Sequence, residues 1–357
     1  MKNIQIFLEK AYNRKVWVDR IATISPEAKN TVFSVEEKYP AARKIRGLFR
    51  RFLPHSLYRP VAEYLDPMAD AQKIVWANPP DSESGRHNVL LFPPGMEKET
   101  GAELVSQANP HWIHSVTTGV DRIPALPDGT LLSSSEGVHS QRIAEFTMGV
   151  IFALAKNIPR HVLQSKDRIW KSLPSEPIRG KCLGIVGLGS IGTEIARLGK
   201  SLGMQVIAIK RKPTNTDVAD KVLVPENLPD LLSAADYVVL AVPLTEKTYH
   251  LIGTEELKRM KPSACLVNIC RGAVVDEDAL YHALKNSTIR GACMDVFQDE
   301  KPLPKNSRFY RLPNLLISSF SAYYSADSLD QVMERFFQNM ENFIHDKPLS
   351  SIQNQTE

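Results

Sequence analysis

The sequence predicts an α/β protein of two domains, with a doubly wound parallel sheet in its second half. The chain has 357 residues, more than one hydrophobic core normally accommodates, so about two domains are expected. From about residue 145 onward, near-continuous apolar strands alternate with helices. This alternation is typical of a parallel sheet covered by helices on both faces.

The first part of the chain is less regular. Strands are predicted at 2–8, 88–92 and 111–116, from short apolar runs closed by turn residues. Residues 41–53 carry apolar side chains at helical spacing among arginines and lysines, which predicts an amphipathic basic helix. Two interpretations stay open for it. The helix packs on its domain with solvated arginines, as ordinary globular helices do, or it binds a membrane surface or an acidic partner.

The second part is predicted element by element from its apolar runs. An apolar helix is expected over 145–156, ending before Pro159, and a final helix over 326–344. Helices separate most of the successive strands, which are predicted at 182–187, 205–210, 236–242, 264–269, 291–297 and 315–319.

Composition limits the function classes. Apolar residues make up 43% and charged residues 24% of the chain, the balance of a soluble globular protein. The net charge of +4 is slight for this length, so a nucleic-acid partner is not expected, whereas a small anionic substrate is compatible. Glu9 comes too early for a signal peptide, and no run is long and apolar enough to span a membrane. A cytoplasmic protein is expected.

The four cysteines predict neither disulfides nor a metal site. No two of them form a C-x-x-C motif, and none has a histidine at metal-ligand spacing. All fall in apolar runs, so they are expected to be small buried residues in a reducing compartment: Cys182, Cys265, Cys270 and Cys293.

A glycine motif lies directly between the strand at 182–187 and the helix that follows it: Gly187-Leu188-Gly189-Ser190-Ile191-Gly192. A bare G-x-G-x-x-G is a weak signal, but between a strand and a helix it is a strong one for dinucleotide binding. Gly187 permits the tight turn, Gly189 lets the backbone approach a diphosphate, and Gly192 allows helix and strand to pack closely. The helix N-terminus then offers free N–H groups to the phosphates. The alternative is a glycine-rich turn of an unrelated α/β protein.

The end of the next strand distinguishes the two nicotinamide cofactors. Proteins that bind NAD usually place an acidic residue there to hold the ribose 2′-hydroxyl. Here the strand ends in Lys210, Arg211 and Lys212, which would attract a 2′-phosphate. NADP(H) is therefore favoured over NAD(H), although a basic turn indifferent to the cofactor is the alternative.

At this point the chain resembles the D-isomer-specific 2-hydroxyacid dehydrogenases, the family that includes the glyoxylate/hydroxypyruvate reductases. The segments that carry the resemblance lie in order between residues 110 and 320, and they include IAEFTMGVIFALAKNIPR, GIVGLGSIG, the run from ADYVVLAVPLTEKTYHLIG to NICRGAVVDEDAL, and GACMDVFQDEKPLP. Before residue 88 the resemblance is faint.

The resemblance implies two doubly wound parallel-sheet domains, the larger being a Rossmann domain, with cofactor and substrate between them. Residues 125–320 correspond to the dinucleotide-binding domain. Residues 1–124, completed by 321–357, correspond to the substrate-binding domain. The resemblance also implies a small 2-oxo or 2-hydroxy acid as substrate, and a homodimer with the helix near 145–157 at its interface.

Several residues match the positions that bind substrate and cofactor in the family. Arg271 corresponds to the arginine that grips the substrate carboxylate and polarises the 2-oxo group, for which a guanidinium is well shaped. Thr117, Thr118 and Gly119 correspond to a turn whose amides hold the other side of the carboxylate. Asp295 corresponds to the aspartate that orients the nicotinamide, and Pro243 to the loop near that ring. A helix-capping arginine and ordinary turn residues are the structural alternatives.

The catalytic histidine of the family is missing. Glu300 matches the glutamate that raises the pKa of that histidine, but the family's Thr-Pro-His reads Ser318-Ser319-Phe320 in this chain. Loss of a general acid commonly costs about 10²–10⁴-fold in rate. Nearby, Tyr323 or Tyr324 is more readily interpreted as a packing residue than as a source of a hydroxyl. No motif favours His114 or His139 as a replacement.

Two functions stay open. The first is a working, slow reductase of 2-oxo acids, supported by Arg271, Glu300 and the glycine motif. The second is a dinucleotide-binding sensor or assembly protein of the same fold with little catalysis, supported by Phe320 and by the unmatched N-terminal segment. The first is favoured, because loss of the acid alone need not abolish hydride transfer.

Overall fold

The computed structural model describes residues 4–9, 14–26, 28–37, 72–76, 87–120, 123–213, 216–298 and 303–352. The basic helix predicted over 41–53 lies outside these residues, as does Glu300. The strands are β1 (Ile4–Glu9), β2 (Lys29–Glu37), β3 (Gln72–Trp76), β4 (His87–Phe92), β5 (Trp112–Ser115), β6 (Leu131–Ser134), β7 (Cys182–Val186), β8 (Gln205–Ile209), β9 (Lys221–Leu223), β10 (Tyr237–Leu240), β11 (Cys265–Asn268), β12 (Gly291–Met294) and β13 (Leu315–Ile317). The helices are α1 (Lys15–Ile24), α2 (Lys98–Ala108), α3 (Ser140–Ala155), α4 (Ile158–Lys166), α5 (Ser190–Ser201), α6 (Leu228–Ala234), α7 (Thr254–Arg259), α8 (Glu277–Lys285) and α9 (Ser328–Ile344). Short 3₁₀ turns occur at Pro225–Asn227, Gly272–Val274 and Arg308–Arg311.

The chain divides into two compact units. Unit 1 falls within 1–136 and 329–357, and unit 2 is 137–328. Both boundaries lie later than those expected from sequence, at 124 and 320. The strand β6 pairs with β5, which extends unit 1 beyond 124. The turn at 318–322 is hydrogen-bonded to Asp295, which keeps that turn in unit 2.

Unit 1 contains a six-stranded sheet in the order β3-β2-β1-β4-β5-β6. Five neighbouring strands of this sheet pair in parallel, in the spatial order β2-β1-β4-β5-β6. This is the order of a flavodoxin-like doubly wound sheet. The edge strand β3 pairs antiparallel to β2, an addition often seen on otherwise parallel sheets. Helix α2 covers the sheet by burying Leu104, Val105 and Ala108 against Leu90 and Ile113.

A buried polar network fixes the end of this sheet in unit 1. His114 is fully buried, and its Nδ1 lies 2.8 Å from the hydroxyl of Ser133. Trp112 donates to the same hydroxyl at 2.9 Å and stacks on Phe336 of α9, with ring centroids 5.5 Å apart. Burial, with a smaller contribution from Arg335, lowers the pKa of His114 from 6.5 to about 3. His114 is therefore a neutral structural residue at neutral pH, as buried imidazoles with satisfied hydrogen bonds are.

Unit 2 is a seven-stranded, all-parallel sheet in the order β9-β8-β7-β10-β11-β12-β13. This is the Rossmann order, in which the chain leaves the central strand first in one direction and then in the other. Successive residues of β10 point to opposite faces, so that Val238 and Leu240 pack with α6, α7 and α8, while Tyr237 and Val239 pack with α3 and α5. The predicted class of two parallel-sheet α/β domains is confirmed.

In unit 2 the observed strands end before the carboxyl ends that the sequence predicted. The run predicted as a strand over 291–297 leaves the sheet after Met294, although Val296 and Phe297 remain buried. Burial of the loop therefore extends the apolar pattern beyond the hydrogen-bonded strand. None of the described helices is both long enough and apolar enough to cross a membrane.

Candidate functional site

The turn Gly187–Gly192, which we call the glycine turn, connects β7 to α5 in unit 2. Gly187 has φ of +107°, which glycine adopts without steric cost. A Cβ there would lie 2.7 Å from the carbonyl carbon of Ala241, which follows β10. The turn therefore lies against the neighbouring strand at the point where the strand order reverses, the usual ligand crevice of such sheets.

The other two glycines of the motif, Gly189 and Gly192, differ in how much space surrounds them. A Cβ on Gly192 would collide with the carbonyl oxygen of Gly187, so this glycine permits α5 to approach the turn. A Cβ on Gly189 would meet nothing within 4 Å. Gly189 is the N-cap of α5, and Ser190 and Ile191, both half-buried, follow it. The first amides of a helix lack intrahelical acceptors, so an open, amide-lined surface is left at Gly189. It fits a phosphate group.

The basic residues after β8 are tied to this turn through Ile209. The amides of Gly187 and Leu188 both donate to the carbonyl oxygen of Ile209, at 3.1 and 3.0 Å. Lys210 comes next and is half-buried, whereas Arg211 and Lys212 are exposed. No carboxylate occurs between 209 and 213. The end of β8 therefore brings positive charge to the side of the glycine turn where a second-strand acidic residue would hold a ribose.

Arg271 follows β11 at the same edge of the sheet, because the carboxyl ends of parallel strands meet there. Its backbone is held by Asn268, a fully buried residue whose amide donates to the carbonyl oxygen of Arg271 at 2.9 Å. The side-chain oxygen of Asn268 also accepts from the amide of Cys270 at 3.1 Å. Arg271 itself is half-buried. Sequence analysis did not identify Asn268, although a polar residue ending an apolar run was the available signal.

Asp295, directly after β12, fixes the turn at 318–322, which we call the Phe320 turn. Its carboxylate accepts from the hydroxyl of Ser318 at 2.7 Å and from the amides of Ser321 and Ala322 at 2.8 and 3.2 Å. Its carbonyl oxygen accepts from the amide of Phe320 at 2.7 Å. Asp295 is only 3% exposed. Asp295 therefore positions the Phe320 turn.

Phe320 is presented to solvent on a constrained backbone. Ser319 and Phe320 both adopt left-handed conformations, with φ of 56° and 58°, which costs about 1–2 kcal/mol at a non-glycine residue. The phenyl ring is 54% exposed. Its centroid lies 5.0 Å from that of Tyr323, whose other neighbours are the rings of Tyr324 and His139. The Phe320 turn therefore carries a cluster of aromatic side chains in which Phe320 and Tyr324 are exposed.

The remaining predicted residues have simpler surroundings. Pro243 is exposed, and its carbonyl oxygen accepts from the hydroxyl of Thr248 at 2.7 Å. In unit 1, the hydroxyl of Thr117 donates to the carbonyl of Gly119 at 2.8 Å. The amides of Thr118 and Gly119 donate to no other described residue.

Within the described part of the chain, no three His, Cys, Asp or Glu side chains lie close enough together to form a metal site.

The cysteines in the described structure are free thiols. Cys182, Cys265 and Cys293 are buried, as expected from the sequence, and Cys270 is half-buried. Burial raises the pKa of the Cys293 thiol to about 12. Protonated, enclosed thiols of this kind are inert.

Comparison with known proteins identifies one family of similar sequences. Residues 148–322 match the family profile described as D-isomer specific 2-hydroxyacid dehydrogenase, NAD binding domain. The glyoxylate reductase of Korarchaeum cryptofilum is 36% identical over 230 residues, which are 62% of this chain and 68% of that protein.

Two solved structures are also similar. The D-lactate dehydrogenase of Aquifex aeolicus, complexed with NAD and lactic acid, has a TM-score of 0.63 and 26% identity, covering 72% of this chain and 83% of that one. The NADPH-dependent glyoxylate/hydroxypyruvate reductase of Sinorhizobium meliloti, in complex with NADP and sulfate, has a TM-score of 0.73 and 18% identity, covering 99% and 98%. The second likeness is one of fold alone.

Proposed function

Because the chain belongs to the D-isomer-specific 2-hydroxyacid dehydrogenase family, we propose that it transfers a hydride between a nicotinamide dinucleotide and a small 2-oxo or 2-hydroxy acid. One observation carries the proposal: the open glycine turn and Arg271 lie at the same edge of one parallel sheet. The dinucleotide would supply or accept the hydride. The residues of the chain bind and orient the two reactants.

The glycine turn would hold the diphosphate. The amides at the start of α5 offer donors, the helix end contributes partial positive charge, and Gly189 leaves the space for close approach. Asp295 and Pro243 are proposed to lie beside the nicotinamide. For Asp295 the support is its position at the end of β12 and its hold on the Phe320 turn.

Arg271 would bind the substrate carboxylate and draw electron density from the 2-oxo group. The Thr117–Gly119 turn of unit 1 is proposed, from the resemblance, to bind a carboxylate through the amides of Thr118 and Gly119, which have no acceptor among the described residues. Glu300 remains a candidate by resemblance only. The histidine with which it would pair is replaced by Phe320, so reduction of a 2-oxo acid is expected to be slow.

The proposal predicts slow oxidation of NADPH with glyoxylate, hydroxypyruvate or larger 2-oxo acids, followed by absorbance. Arg271→Gln should lower kcat/KM by roughly 10–100-fold, because charge-assisted hydrogen bonds to the carboxylate are lost. Arg311→Gln is the matched control, an exposed arginine that precedes β13 at the opposite edge of the sheet.

An unchanged kcat/KM in Arg271→Gln would contradict the assigned role. Dinucleotide binding without turnover on any acid would instead favour the second candidate function, a dinucleotide-binding sensor or assembly protein. The observation that favours this second candidate function is Phe320, which replaces the family histidine in the sequence.

We propose NADP(H) as the preferred cofactor over NAD(H), on the strength of Lys210, Arg211 and Lys212 beside the glycine turn. Arg211→Asp should weaken NADPH binding roughly 10–100-fold and improve the relative use of NADH, since a carboxylate repels a 2′-phosphate and accepts from a ribose hydroxyl. The measurement is KM for both cofactors. Lys221→Asp makes the same charge change at the amino end of β9 and should leave the ratio unaltered. An NADH preference in the unmodified protein would refute the proposal.

We propose that the chain forms a homodimer. The resemblance implies that the helix near 145–157, the second half of α3, lies at its interface, and we extend this interface to α4 and the segment after it. Helix α4 buries no residue within unit 2. Large apolar side chains are exposed along this surface, namely Ile158 at 49%, Val162 at 51%, Leu163 at 52%, Ile169 at 51% and Trp170 at 104%. Large apolar side chains exposed in this number within one short segment mark an interaction surface, and the family resemblance points to a second copy of the chain.

Analytical ultracentrifugation tests this pairing. The unmodified chain should sediment as a dimer, and Leu163→Asp with Trp170→Glu should sediment as a monomer, because charges are costly in a buried apolar interface. Tyr310→Glu, which alters an aromatic residue that is 54% exposed elsewhere in unit 2, should remain dimeric. A monomeric unmodified chain, or a dimeric double variant, would exclude this interface.

A further inference from the structure

The Phe320 turn is a formed structural element that holds a phenyl ring in place of an acid. Asp295 fixes the turn through three acceptor contacts of its carboxylate and one of its carbonyl oxygen. Two consecutive left-handed residues, Ser319 and Phe320, are maintained within it. Backbone strain of this kind persists only where the surroundings over-determine it, and it concentrates at functional sites. The backbone that carries the phenyl ring is therefore fixed at the ligand edge of the sheet.

Three ionisable side chains around the aromatic cluster, those of Asp327, Tyr323 and His139, are poor proton donors at neutral pH. The pKa of Asp327 is lowered, first by its hydrogen bond from Ser325, and its carboxylate also accepts from Arg142 at 2.6 Å. Burial raises the pKa of the Tyr323 hydroxyl. Burial, with a smaller contribution from Arg142, lowers the pKa of His139, whose ring lies 5.6 Å from that of Tyr323. The carboxyl is thus ionised, the phenol a weaker acid than usual and the imidazole neutral.

Reduction of a 2-oxo acid is slow without a good proton donor, whereas reduction of a 2-iminium acid does not use one. Hydride addition to C2 of a 2-oxo acid leaves an alkoxide, which must take up a proton to give the 2-hydroxy acid. In a 2-iminium acid the nitrogen is already protonated. The hydride adds to C2, the electron pair of the C=N double bond moves to nitrogen, and the product is a neutral amine with NAD(P)⁺. No proton is transferred in that step.

We propose that this site reduces the cationic 2-imino derivatives of 2-oxo acids, formed from the acid and ammonia or a primary amine, in preference to the 2-oxo acids themselves. The inference rests on the proposed function, since the dinucleotide and Arg271 keep their roles. The exposed rings of Phe320 and Tyr324, with the half-buried ring of Tyr323 between them, would attract the iminium cation, as aromatic rings attract cations generally. The substrate would be a zwitterion, with its carboxylate on Arg271 and its cation beside the aromatic rings.

The test is NADPH oxidation with pyruvate or phenylpyruvate, alone and with excess methylamine, with mass spectrometric detection of the N-methyl amino acid. Methylamine should raise the rate at least roughly tenfold. Phe320→His should raise reduction of the 2-oxo acid alone by roughly 10²-fold or more, because it restores a general acid. It should lower formation of the N-methyl amino acid, because it removes an aromatic face that would bind the iminium cation. Tyr310→His, a second exposed aromatic residue of unit 2, should alter neither rate.

The outcomes separate this inference from the function on which it rests. A rate that is independent of methylamine, with lactate or phenyllactate as the product, would overturn the inference and leave the proposed function intact. An equal gain from Phe320→His with and without methylamine would also overturn it. Absence of NADPH oxidation under both conditions would overturn the inference and the proposed function together.

Discussion

The geometry of unit 2 depends on one close approach of backbone to backbone, that of Gly187 to Ala241. This approach lets the chain turn directly from β7 into α5 beside β10, at the point where the strand order reverses. Gly192 makes the turn tight enough for the helix to begin there. Because the turn is so tight, the first amides of α5 point to the carboxyl edge of the sheet, where free amides and partial positive charge attract an anion.

A second set of constraints converges on the same edge. Asn268 ties down the loop that carries Arg271, and Asp295 ties down the turn that carries Phe320. The amide of Asp295 donates to the carbonyl oxygen of Asn268 at 3.0 Å, so the two loops are connected through adjacent strands. Gly272 contributes as well, since a Cβ there would collide with the backbone of Phe297 and Gln298. Arg271 and Phe320 are thus positioned by one connected network.

The sequence was sufficient to predict the features that depend on local pattern. The alternation of apolar strands and helices predicted the class of fold. The glycine motif predicted the turn between β7 and α5, because the three glycines that this turn needs lie within six consecutive residues. The strand ends were overestimated because buried loop residues such as Val296 and Phe297 continue the apolar run. The roles of Asn268 and Ser318, and the left-handed backbone at Phe320, depend on contacts between separate strands. No local pattern encodes those contacts.

The most direct test of the account is the affinity of the chain for NADPH, measured by titration calorimetry, with and without Gly189→Val. The extended backbone of Gly189 and the open space around it should allow the valine to fold unchanged, with the same Tm as the parent. The side chain would occupy the place of the diphosphate, so the account predicts saturable binding to the parent and at least roughly tenfold weaker binding to the variant. Equal affinities, or no binding to the parent, would contradict it.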